Sequence, residues 1–149
     1  MNVRVVVADE REANFFDLTT PQADLQARES FHNEAARPDR QLETDRPGRR
    51  FGGTDGNSRH GVDGERSTQR HELELFALQV ARDLDSARTR HEFDRLVLIA
   101  GPRMLGLLRD ALPAACRSVV AAEVPKDFVH HDVAAIRNAV PRAAFTAES

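Results

Sequence analysis

Apolar and polar positions follow three different rhythms along this chain. Val3–Ala8 (VRVVVA) is β-branched and almost continuously apolar, the pattern of a strand buried on both faces. A short polar stretch, Asp9-Glu10-Arg11-Glu12, separates it from the apolar ANFFDL, so the pair reads as a hairpin. DLQARESFHN offers a third strand, with Leu25, Ala27 and Phe31 inward and Arg28 and Ser30 toward solvent; Glu29 interrupts the alternation. From Asn33 to Arg66 no period is visible, and the stretch is longer than ordinary connections in compact domains.

The rhythm then becomes helical. Leu73, Phe76, Ala77, Val80, Ala81 and Leu84 form one apolar stripe at a period of 3.6, with Ser67 or Thr68 as the expected N-cap. RLVLIA (Arg95–Ala100) is a further buried strand, followed by Gly101-Pro102 and a short amphipathic helix, RMLGLLRDAL, that Pro113 ends. RSVVAAEV is the next strand, stopped by Pro125. A last helix is expected from about Asp127, with Phe128, Val133, Ile136 and Val140 inward. The order β-β-β-α-β-α-β-α predicts one α/β domain over residues 1–149, with helices on both faces of a mixed, mostly parallel sheet.

Composition narrows the function classes. The chain has 149 residues, 40% apolar and 30% charged, the size and balance of a single globular domain. No apolar run is long enough to span a bilayer, and the N-terminal valines meet Ala-Asp too soon for a signal peptide, so the expected address is cytoplasmic, without membrane insertion. Cys116 is the only cysteine, which excludes an internal disulfide and a cysteine-based zinc site and reads as a core residue. The net charge of −3 gives no global attraction to nucleic acid, so any such contact needs a local patch. Lys126 is the only lysine and follows a proline, which excludes a Walker A loop.

One segment offers such a patch. Asp45–Gly64 (DRPGRRFGGTDGNSRHGVDG) holds six of the eight glycines, with Arg46, Arg49 and Arg50. Successive backbone N–H groups and arginine forks suit a phosphate. Nearby Asp and Glu residues offset the charge, so a solvated loop is the competing reading. Arg103 and Lys126 each follow a strand of the parallel half, at the edge where α/β domains bind ligands, or else they simply punctuate helix starts. Asp9, at the end of the first strand, and Glu72, in the first turns of the long helix, admit either a metal-dependent nuclease or a turn residue and a dipole-matched acid. His130-His131-Asp132 are consecutive and make no chelating face on a helix. Position 75 is Leu, so HELEL fails the zincin pattern. No cofactor is implied.

Several stretches together resemble the bacterial host attachment protein family: VVVADEREANFF, ETDRPGRRF, HELELFALQVARDL, FDRLVLIAGPRMLGLLRDAL and VPKDF, in that order. The chain departs from the family pattern at Asp9-Glu10-Arg11, where Asp-Gly-Ala is usual, and at Gly101-Pro102, where two prolines are usual. The resemblance implies a part in attachment to host cells, with the host-cell surface as a partner. It also implies a ribonuclease H-like sheet similar to the middle domain of archaeal and eukaryotic peptide release factors and pelota. On that side the expected partner is the ribosome or structured RNA, bound through Arg46, Arg49, Arg50, Arg103 and Lys126 without catalysis. The release-factor Gly-Gly-Gln loop falls in the same interval, where this chain has Gly52-Gly53-Thr54, so hydrolysis of peptidyl-tRNA is not assigned.

Overall fold

A computed structural model describes residues 1–36 and 61–146, with the backbone alone described at 36 and over 61–67. The strands are β1 (Val3–Ala8), β2 (Glu12–Leu18), β3 (Gln26–His32), β4 (Arg95–Ala100) and β5 (Val120–Val124). The helices are α1 (Gly61–Thr89), α2 (Pro102–Ala111), α3 (Ala114–Arg117) and α4 (Val133–Ala139), with single 3-10 turns at Glu34–Ala36 and Arg142–Phe145. The strands lie in the order β3-β2-β1-β4-β5. β1 pairs antiparallel with β2 and parallel with β4, β2 pairs antiparallel with β3, and β4 pairs parallel with β5. The sheet is therefore evenly mixed rather than mostly parallel, because β3 extends the opening hairpin instead of joining the parallel half.

β1 is central and every one of its residues is buried. Alternation along a strand sends successive side chains to opposite faces. Val3, Val5 and Val7 join a core with Val97, Ile99, Ile136 and Val140 beneath α4. Val6 and Ala8 join the other core, with Phe15, Phe76, Val80, Leu84, Leu98 and Leu108 beneath α1 and α2. All six residues of the predicted α1 stripe are buried. One α/β domain with helices on both faces results.

Arg4 breaks the apolar run, and it is 1% exposed. Its Nε lies 2.6 Å from Asp17 Oδ1 and its Nη2 3.2 Å from Asp17 Oδ2, and Asp17 is also its register partner on β2. Nη2 is 3.6 Å from Glu92 Oε1, and the guanidinium lies 5.2 Å from the centroid of the Phe93 ring. Arg28 of β3 reaches the same Asp17 at 3.3 Å. A hydrogen bond from Arg90, helped by Arg4 and Arg28 nearby, holds the Glu92 carboxyl below its ordinary range. Burial, and then Glu29, push the Asp83 carboxyl the other way.

Several boundaries differ from the sequence expectation. α1 begins at Gly61, ahead of the expected cap at Ser67 or Thr68, because its first turns lie upstream of the apolar stripe that gives the helical period. The expected structureless stretch from Asn33 is also shortened at its start, since Asn33 is buried and Glu34–Ala36 form a 3-10 turn. β5 starts at Val120 because Pro113 launches the short α3, in which Cys116 N–H and Arg117 N–H both donate to the Pro113 carbonyl. Cys116 is fully buried, and burial pushes its thiol up to about 11, so it stays protonated near neutral pH. α4 starts at Val133 rather than near Asp127. Its N-cap is Asp132, whose side chain accepts from Ala135 N–H at 2.9 Å. Val133 is consequently 48% exposed and Phe128 precedes the helix, stacked on His131 at 4.4 Å. On β3, Phe31 turns inward as expected, where it packs on Phe15, but Ala27 is exposed, because a register shift between Asn14 and Phe16 breaks the alternation of this edge strand.

The β1–β2 turn is held by Asp9. Its Oδ1 accepts from Arg11 N–H at 2.7 Å and from Glu12 N–H at 2.8 Å, while its own N–H donates to the Glu12 carbonyl at 2.9 Å. Two expected outcomes follow from these contacts. Asp17→Ala strands the buried Arg4 guanidinium and should lower the unfolding free energy by about 3 kcal/mol in urea titrations. Arg4→Met combined with Asp17→Leu should cost less than Asp17→Ala alone, and equal midpoints for Asp17→Ala and the native chain would refute the role given to the pair. Asp9→Ala should cost about 1 kcal/mol by the same measurement. Asp9→Asn, which keeps an acceptor oxygen, should cost distinctly less.

Candidate functional site

The parallel strands β1, β4 and β5 end on one edge of the sheet, and the chain leaves them in different directions. From β1 it turns back into β2 on one side; from β4 it passes through α2 and α3 to β5 on the other. The crevice outside the carboxyl ends at such a reversal is where open α/β sheets accept ligands. Two adjoining cavities lie there. One, of about 390 Å³, is lined by Asp9, Glu10, Arg11, Gly101, Pro102, Arg103, Met104 and Asp127. The other, of about 340 Å³, is lined by Glu10, Arg11, Asn33, Ala35, Gln69, Glu72, Leu73 and Arg103. Glu10, Arg11 and Arg103 form the wall common to both.

That wall is built from short local structure. Asp9 fixes the turn, which presents Glu10 and Arg11 at its tip. Asn33 holds the tip from behind: its Nδ2 donates to the Glu10 carbonyl at 3.0 Å and its backbone N–H to the Arg11 carbonyl at 2.8 Å. Its Oδ1 accepts from Ala35 N–H at 3.2 Å, so one buried amide also fixes the 3-10 turn. Across the cleft, Gly101 and Pro102 start α2 with no side-chain cap, which leaves the positive end of the helix facing the cavity mouth. Arg103 Nη1 lies 3.4 Å from Glu10 Oε2, an exposed pair that bridges the turn and α2. Arg11 lines both cavities and makes no ion pair among the described residues.

The expected site residues are placed as follows. Arg103 stands in both cavities. Lys126 is exposed at the exit of β5 and lines neither; its neighbour Asp127 reaches the larger one. Arg46, Arg49 and Arg50 lie outside the described residues. Asp9 and Glu72 line different cavities, and among the described residues no three His, Cys, Asp or Glu side chains cluster as metal ligands would. The Asp9 carboxylate is engaged in its turn, which gives it a structural role in this hairpin. His130 and His131 sit in the turn ahead of α4 rather than on a helix. Arg11, Asn33 and Gln69 were not singled out from the sequence. Arg11 alone had a signal there, as a basic residue in the short polar connection after the first strand.

Chemically the cleft is mixed. Arg11 and Arg103 share the cavity walls with Glu10, Glu72 and Asp127, so it offers bidentate cationic contacts beside carboxylate acceptors rather than a uniform basic track. No helix among the described residues is long and apolar enough to cross a membrane.

Comparison with known proteins agrees with the motifs. A family model described as "Protein required for attachment to host cells" matches residues 4–140, from the start of β1 to the end of α4. An uncharacterized protein of Rickettsia prowazekii (strain Madrid E) is 35% identical over 66 residues, which is 43% of this chain and 44% of that protein. The matched part is thus less than half the length of that relative. With the family match running through both cores and the cleft, the chain belongs to the family of proteins required for attachment to host cells.

Proposed function

We propose that this protein serves attachment to host cells as a non-catalytic binding module, and that the carboxyl-edge cleft is its working surface. The observation that carries the reading is the wall shared by the two cavities, at the reversal point of the sheet, where Arg11, without an ion-pair partner among the described residues, stands beside the Arg103–Glu10 bridge. Such a wall suits a partner that presents a carboxylate or phosphate together with a hydrogen-bond donor.

A second reading is the release-factor-like one: a cytoplasmic module with a ribonuclease H-like sheet that binds structured RNA or the ribosome through Arg46, Arg49, Arg50, Arg103 and Lys126. Two features favour keeping it. The sheet order β3-β2-β1-β4-β5 suits that fold. Ala35, just before the arginine-bearing segment, and Gln69, in the helix after it, both line the cleft that holds Arg103.

Host-cell attachment by bacteria lacking the protein, complemented with variants, tests the first reading. Native protein should restore attachment, and Arg11→Glu combined with Arg103→Glu should not, at equal protein level. Attachment unchanged by loss of the protein would sink it. Cell fractionation of the complemented strain then separates a surface-exposed adhesin from an internal factor. For the second reading, co-sedimentation with ribosomes should weaken steeply with salt and fall when Arg46, Arg49 and Arg50 become alanine. Binding indifferent to both would rule it out.

A further inference from the structure

The two edges of the sheet are finished differently. β3 carries Gln26, Arg28, Glu29 and His32 and has a register shift against β2, and charges and bulges are the means by which edge strands avoid pairing with another chain. β5, at the opposite edge, reads VAAEV and has no lysine or proline within it. Its one charge, Glu123, is neutralised by Arg109 of α2, with Nη2 2.5 Å from Oε1 and Nε 3.1 Å from Oε2. β4 satisfies the inner side of β5. Beyond that pairing, the only backbone bond to the strand among the described residues is from Lys126 N–H to the Val124 carbonyl, at 2.9 Å. A groove of about 330 Å³ runs beside the edge, with Leu112, Val120, Ala121 and Ala122 between Arg109 and Arg117.

Two charges without ion-pair partners among the described residues flank this edge. Arg117 donates from Nη1 to the Leu112 carbonyl at 2.9 Å and meets no carboxylate among the described residues. Asp127 accepts a long bond from Val129 N–H, at 3.4 Å, and meets no cation among them. They stand equally far along the chain on either side of Ala122, a cation before the strand and an anion after it. In an antiparallel pair of identical strands the beginning of each lies beside the end of the other, so this arrangement is complementary to itself.

We infer that β5 pairs antiparallel with β5 of a second copy of this chain, about a two-fold axis near Ala122, which brings Arg117 of each copy to the Asp127 end of the other. The main-chain groups of the edge supply the hydrogen bonds, and the two reciprocal charge pairs select the copy's own edge over other strands. Because the β3 edge is protected, the pairing closes at two copies and does not propagate into a filament.

Sedimentation velocity of the full chain over a concentration series tests this. A reversible dimer is expected. Arg117→Glu alone and Asp127→Arg alone should each raise its dissociation constant roughly tenfold or more, and the two together should restore it. Both positions are exposed, so the folded monomer should survive each change. Amide exchange of the native chain gives an independent reading: protection in 120–124 should rise with concentration. A monomer up to about 1 mM, a dimer indifferent to both reversals, a double variant no better than the singles, or exchange in β5 that ignores concentration would each overturn the proposal.

Discussion

The structure depends on one buried cation. Arg4 sits in the middle strand with 1% of its surface exposed, where an unpaired guanidinium would be strongly unfavourable. It is tolerated because the fold delivers acceptors to it from two directions. Asp17 comes from the adjacent strand in register, and Glu92 comes from the connection between α1 and β4. The Phe93 ring covers the guanidinium plane. Slipping β2 by one residue would turn Asp17 to the opposite face and leave the cation without its closest partner. The pair therefore specifies the hairpin register as well as the path by which α1 returns the chain to the sheet.

That constraint lies near the amino end of β1, and its location matters for function. With the sheet anchored at one edge by charge pairs and on both faces by apolar cores, the carboxyl edge is left to turns. The tip there needs little to hold it: the Asp9 carboxylate and the Asn33 amide fix a three-residue connection between rigid strands. Side chains at that tip are thus presented by a stable frame without contributing to it. Glu10 and Arg11 at this tip are both exposed. The turn geometry rests on Asp9.

Much of the frame was legible in the sequence because it depends on local periodicity. β1, β2, β4 and the α1 stripe follow from apolar spacing alone, and each is found where that spacing put it. What escaped has no local period. The first turns of α1 hold a single large apolar residue, Val62, and so show no period, and α3 is a single turn set by Pro113. The start of α4 is fixed by a cap at Asp132 rather than by the acid at Asp127. The partners of Arg4 are equally invisible, since VRVVVA reads as apolar whichever acids stand opposite it, and Glu92 is distant in sequence. The site was legible in part for the same reason. Asp9 and Arg103 flank strands and could be noticed one at a time. Asn33, Gln69 and Glu72 become neighbours of Arg11 only once β3 and α1 are packed against the sheet.

The mixed sign of the cleft separates the two functional readings. Arg103 is already bridged to Glu10, and Glu72 and Asp127 add further negative charge, so the cleft by itself is a poor track for a polyanion. Strong attraction to RNA would have to come from Arg46, Arg49 and Arg50, with Arg103 and Lys126 as accessories at the edge. A compact partner with paired donor and acceptor groups would need none of those three arginines; it would meet Arg11, which has no ion-pair partner among the described residues, and the Arg103–Glu10 bridge beside it. The two readings therefore draw on different residues of the same edge, one on charge density and the other on the geometry of a single turn.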